Sequence, residues 1–76
     1  MTAQLAKRAF VKFLLALAAV YGLVLNITRD SADTEIVSAF KRVARKAHPD
    51  KGGSNEDSQR LHAARYAWRD ANLGRA

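Results

Sequence analysis

The residues able to do chemistry are few. His48 and Asp50 flank Pro49, and Lys51, Gly52, Gly53 and Ser54 follow at once. A hydrolytic use of His48 and Asp50 needs a nucleophile or a metal beside them. The nearest candidate, Ser54, stands at capping-box spacing from Asp57 and reads as a helix cap, and a triad is established by geometry rather than by spacing. His48, Asp50 and His62 follow no familiar zinc-ligand spacing. Lys51-Gly52-Gly53-Ser54 lacks the first glycine and the residue order of a phosphate-binding loop. The sequence therefore supplies no catalytic residue, no metal ligand and no cofactor site, and the chain is not read as an enzyme. What it does supply is a cationic cluster, Lys41, Arg42, Arg45 and Lys46, just ahead of the His48-Pro49-Asp50 tripeptide.

These groups sit at the end of one helical pattern and the start of another. Ile36, Ala39, Phe40, Val43, Ala44 and Ala47 recur as a full apolar stripe, which predicts a helix over 34–47. The four cations lie off that stripe, with no acid interleaved after Glu35, where an ordinary solvated helix would carry some Glu ahead of its Lys. Basic side chains near a helix C-terminus also relieve its dipole. Pro49, the only proline, ends this helix near Ala47 or His48, and Gly52 and Gly53 let the chain turn. Leu61, Ala64, Trp68 and Ala71 predict a third helix over 55–72, capped by Ser54 and closed by Gly74. Its stripe is mostly alanine, so neighbours must approach closely and Trp68 supplies much of the burial. Ahead of the basic helix, 26–33 groups Asn, Thr, Asp and Ser as a loop does. Ser31 or Asp33 is the expected cap there, and Asp33 and Glu35 add negative charge to the first turn.

The N-terminal third differs in composition. Residues 1–12 carry Lys7, Arg8 and Lys12 and no acid, and residues 13–25 carry no charge. A basic head before an apolar run suits a secretory signal or a mitochondrial presequence, and the window 10–27, with Lys12 snorkelling, falls just inside the range for a membrane span. It also suits a bundle helix with Leu14, Leu17, Ala18, Tyr21, Val24 and Leu25 on one face. Leu15, Ala19, Gly22 and Leu23 leave the other face uncharged as well, and a small protein cannot wrap a helix on every side. The expectation is that the part from about Leu17 packs into the domain and that residues 1–16, a basic and apolar extension of targeting, membrane-proximal or helical kind, protrude or serve a membrane or partner, with residues 10–27 as the place of any membrane contact.

At 76 residues the chain holds one small core, and with no cysteine it has neither a disulfide nor a thiolate metal site. Its net charge of +6 asks for an acidic partner, which nucleic acid, an anionic membrane or an acidic protein face could each provide.

From Ile36 to Lys51 the run resembles the second helix and His-Pro-Asp loop of the J-domain, the defining module of DnaJ-type cochaperones. Leu25-Asn26-Ile27-Thr28-Arg29-Asp30 resembles the end of that family's first helix and the loop after it, and Leu61 and Ala64 fit its third helix. The resemblance covers about 17–72 and implies an all-α bundle. In it an antiparallel pair, 34–47 and 55–72, presents the loop at its tip, and a hydrophobic N-terminal helix packs across the pair. The domain would be 17–76, and the molecule a monomer.

The resemblance also implies a partner and an action. J-domains dock on the 70-kDa heat-shock chaperone of the DnaK class and stimulate its ATP hydrolysis, assisting folding or translocation of proteins. By position, Asp50 would meet an Arg of the chaperone, His48 and Pro49 would hold the loop, and Lys41, Arg42, Arg45, Lys46 and Lys51 would face its acidic groove. Some features depart from the common pattern. Gly22 stands near the place of a usual core Tyr, and Arg65 stands where an aromatic is usual, with Trp68 one turn later. A basic residue at the Arg65 position, with Leu-Asn-Ile-Thr and His-Pro-Asp-Lys-Gly-Gly-Ser, resembles the J-protein of the mitochondrial import motor, a member with a membrane anchor. The compartment, cytoplasmic or mitochondrial, stays open. The family's Gly/Phe-rich linker and client-binding domain are not in this sequence, as in an excised fragment or a chain targeted by its N-terminal segment. Two rival classes are a small basic helical nucleic-acid-binding module and a membrane peptide. On the J-domain reading no nucleic acid is expected.

Overall fold

Three helices joined by two short connections make up the computed structural model, which describes residues 2–73. They are α1 (Ala3–Val20), α2 (Asp33–Ala47) and α3 (Asn55–Leu73), with a single 3-10 turn over Pro49–Lys51 between the last two. Phe40 lies as far ahead of the end of α2 as His62 lies beyond the start of α3. Their rings meet edge to face at 5.6 Å. Far from the turn, Asp33 and Val37 share a groove with Trp68 and Leu73. Equal distance from the turn on both strands of contact means that α2 and α3 run antiparallel, as expected. α1 covers the pair and packs chiefly on α3. Lys7 reaches Asp33 at 3.1 Å near one end of α1, and the Tyr21 hydroxyl donates to Asp57 at 2.7 Å just past the other.

The stripes read from α2 and α3 are the ones that pack. Ile36, Ala39, Val43 and Ala47 are buried on α2, with Phe40 and Ala44 half-buried; Leu61 and Trp68 are buried on α3, and Ala64 and Ala71 lie half-buried at their edges. The surprise is α1, whose first half does not protrude. Ala3, Ala6, Phe10, Val11, Leu14, Leu17 and Ala18 are all buried, and Phe10 is stacked within 5.3 Å of Trp68 and 5.9 Å of Phe40. Phe10 fills the seam between those two rings, and burying a side chain of this size is worth about 2–3 kcal/mol. The helix apolar on every side is accommodated by leaving Leu15, Ala19 and Val20 in solvent.

α1 also stops earlier than the resemblance implied. Gly22 takes a left-handed φ of 72°, the Gly22 N–H donates to the Ala19 carbonyl, and the Leu23 N–H reaches back to Ala18 at 2.8 Å. This is the Schellman arrangement, with Leu23 beside Ala18 as its apolar contact, and it ends the helix outright. Leu25 and the residues around it are consequently outside any helix. Ile27 is buried and Val24 is 79% exposed. Among the described residues no helix is long and apolar enough to cross a membrane.

Caps were partly as expected. Ser54 Oγ accepts the Asp57 N–H at 3.0 Å and starts α3. At α2, however, neither Ser31 nor Asp33 caps. The N-cap is Ala32 with no side-chain bond, because Ser31 Oγ accepts from the Thr28 N–H and Asp33 is held by Lys7. The proposed cap at Gly74 lies outside the described residues.

Candidate functional site

The tip of the α2–α3 pair is assembled by local bonds. The His48 N–H donates to Ala44 and closes α2, and His48 then leaves the helix at ψ 134° as the residue before a proline must. Pro49 opens the 3-10 turn, where its missing N–H costs nothing. The His48 carbonyl accepts two donors, Lys51 N–H at 2.9 Å and Gly53 N–H at 3.0 Å, and the Ser54 N–H closes the loop on Ala47 at 3.0 Å. Gly52 supplies a left-handed φ of 86°. Gly53 is required for a different reason: a Cβ placed there would stand 2.0 Å from the Ala47 carbonyl oxygen. The two glycines that looked interchangeable in the sequence serve separate needs, one of conformation and one of space.

This frame leaves its side chains outside. The Asp50 N–H donates to His48 Nδ1 at 3.2 Å, and the same nitrogen lies 3.7 Å from the Asp50 carboxylate. The imidazole braces the backbone of Asp50. The Asp50 side chain is 86% exposed. Beside it Lys41, Arg42, Arg45, Lys46 and Lys51 are all exposed, and none has an ion-pair partner among the described residues. Of the residues singled out for docking, Lys41, Arg45, His48, Asp50 and Lys51 are brought together along one groove, whereas Arg42 and Lys46 are exposed on α2 outside its lining.

Two residues not assigned to this site share it. Phe40 and His62 line a groove with Lys41, Arg45, His48 and Asp50, so the charged face has an apolar floor reaching across to α3. The antiparallel pairing is the signal that could have placed them there, since both lie one equal stretch from the turn. Arg65 occupies the place of an aromatic by stacking: its guanidinium lies 5.3 Å from the Trp68 ring and 6.0 Å from that of Phe40. At the foot of the loop Tyr21 ties α1 to Asp57. That hydrogen bond, with desolvation and the carboxylate's charge behind it, holds the phenol above its ordinary pKa. Among the described residues no three of His, Asp and Glu stand close enough to hold a metal ion.

The model of the DnaJ domain matches residues 20–69, more than half of the chain. The chain belongs to the DnaJ-domain family. It is 44% identical over 36 residues to Chaperone protein DnaJ 2 of Aromatoleum aromaticum, covering 47% of this chain and 10% of that protein. It is 45% identical over 38 residues to Chaperone protein dnaJ 15 of Arabidopsis thaliana, covering 50% of this chain and 9% of that one. The matched segments thus span about a tenth of these curated relatives. No solved structure matches the chain. Within this DnaJ domain the match begins only at the last residue of α1, so the helix that supplies Phe10 and Leu14 to the core lies almost wholly ahead of the family's segment.

Proposed function

We propose that this chain is a J-domain cochaperone that binds the 70-kDa heat-shock chaperone of the DnaK class and stimulates its ATP hydrolysis, assisting protein folding or translocation. The observation that carries the proposal is the posture of Asp50: an exposed carboxylate held out on a braced 3-10 turn, in one groove with cations of α2. Such a group suits a charge-assisted bond to an arginine of the partner, which is about twice as strong as a neutral one. Lys41, Arg42, Arg45, Lys46 and Lys51 offer the complement to an acidic groove and steer the encounter. His48 and Pro49 act through the loop they hold. The hydrolysis itself belongs to the partner, and the chain contributes binding alone.

The test is single-turnover ATP hydrolysis by a DnaK-class chaperone with and without added protein. Wild type should raise the rate. Asp50→Asn, which keeps size and shape but removes the charge of a group that makes no fold contact with its carboxylate, should abolish the effect while leaving helicity and melting unchanged. Equal stimulation by wild type and Asp50→Asn would overturn the proposal.

A further inference from the structure

Helix α1 has a second surface on the side away from the core. At about 100° per residue, Leu5, Arg8, Leu15, Ala16 and Ala19 all fall within about 60° of Lys12. Phe10, Leu14 and Leu17 fall on the opposite side, where they are buried. This outward face carries no carboxylate, and the first acid in the sequence is Asp30. Its apolar members are large and uncovered: Leu5 is 51% exposed, Leu15 39%, and Val20 at the end of the helix 72%. The connection after α1 brings Arg29 to its flank, so that Arg8, Lys12 and Arg29 surround a shallow groove floored by Val11, Leu15 and Ile27. An adjoining hollow contains Asp30 beside Lys7 and Arg8, but neither Arg8, Lys12 nor Arg29 forms an ion pair among the described residues.

A partner for this face must satisfy unpaired cations and exposed aliphatic side chains together. Nucleic acid would use the cations but leave Leu5, Leu15 and Val20 in water, and the face has no exposed aromatic on which a base could stack. An anionic bilayer meets both needs, because phosphates pair with Arg and Lys at the level where leucine and valine enter the acyl boundary. We propose that this face of α1 seats the protein on an anionic phospholipid surface, with the helix lying along the interface. The window 10–27, first read as a membrane contact, puts Phe10, Val11, Leu14, Leu17, Ala18 and Ile27 into the protein core instead. The contact moves to the residues between them. Arg8, Lys12, Leu15 and Arg29 line a groove that shares no residue with the one lined by Lys41, Arg45, Asp50 and Lys51, so the two contacts use separate residues.

Co-sedimentation of the full chain with vesicles tests this. Wild type should pellet with mixed phosphatidylcholine–phosphatidylglycerol vesicles at low salt and stay in solution with phosphatidylcholine alone. Arg8→Gln combined with Lys12→Gln should lower partitioning on the order of thirtyfold, from the contribution of two cations near an anionic surface. Leu5→Ser combined with Val20→Ser should lower it about tenfold with charge unchanged. Both variants alter exposed positions, so unchanged helicity and unchanged ATPase stimulation in solution would show that fold and docking are intact. The proposal is overturned if wild type fails to pellet, or pellets equally with neutral vesicles. It is equally overturned if Leu5→Ser/Val20→Ser pellets like wild type while the protein binds duplex DNA with similar strength, for then the face reads charge alone.

Discussion

The loop tip and the α1 seam are built on opposite principles. At the tip nothing from Pro49 to Lys51 is buried, and shape comes from bonds between residues a few positions apart: His48 to Lys51 and Gly53, Asp50 to His48, Ala47 to Ser54. In the seam, Phe10 meets Phe40 and Trp68 from distant parts of the chain and is 1% exposed. The tip is specified mostly by residue type and offset, since proline, glycine and histidine each supply a local bond or dihedral that the turn uses. The platform is specified jointly. A helix almost wholly outside the family-matching segment fills the gap between α2 and α3. A loop of this kind can therefore be transplanted between proteins more readily than the helix that supports it.

The largest effect on stability should come from breaking the seam. Phe10→Ala should cost about 3–5 kcal/mol, against roughly 4–11 kcal/mol in total for a domain of this size. Chemical denaturation followed by circular dichroism should show the loss as a lower midpoint at an unchanged slope. A cost below about 1 kcal/mol, the level of a surface change, would mean that α1 is an accessory to the pair and that the two regions do not differ as described.

A smaller effect is expected at the tip, from the place where its backbone packs most closely on α2. In Gly53→Ala the new methyl cannot coexist with the Ala47 carbonyl at 2.0 Å, and the loop backbone must shift. Displacements of this kind cost about 1–3 kcal/mol. Stimulation of the partner's ATPase should fall several-fold more than the unfolded fraction explains, because the shift moves Asp50. Were stability and stimulation to fall in parallel, the loop would be acting only through the fold, and the separation between the two regions would fail.

The same division decides what could be read from the chain. Pro49, Gly52, Gly53 and the stripe from Ile36 to Ala47 are local signals, and the turn, both paired helices and the exposed cations follow from them within a residue or so. Asp33 rather than Thr34 begins α2, and Leu73 rather than Asn72 ends α3. The N-terminal third could not be read this way. Phe10 and Leu15 are both apolar residues of one helix, and only the positions of Phe40 and Trp68 determine that the first is buried and the second is not. The caps of α2 failed for a related reason. Ser31 and Asp33 were suitable, but Ser31 is taken by a local turn bond from the Thr28 N–H and Asp33 by Lys7 of α1, and only the second of these is a tertiary contact that the fold decides.

The smallest effect on the fold should come from the cations of α2, and it sharpens the comparison from the functional side. Lys41→Gln with Arg42→Gln removes two exposed charges that make no ion pair among the described residues and lie ahead of the last turn, so dipole relief by Arg45 and Lys46 is kept. Stability should change by less than about 0.5 kcal/mol. Stimulation at subsaturating protein should nevertheless slow about three- to tenfold at low salt, because the field that steers encounter has been weakened. Raising the salt shortens the screening length to about 3 Å at 1 M and should bring wild type and variant together. Asp50→Asn should show no such convergence, since its loss is of a contact made after encounter and not of a field felt before it. If both variants lost their defect in salt, Asp50 would be one more surface charge, and the braced turn that presents it would have no separate part in docking.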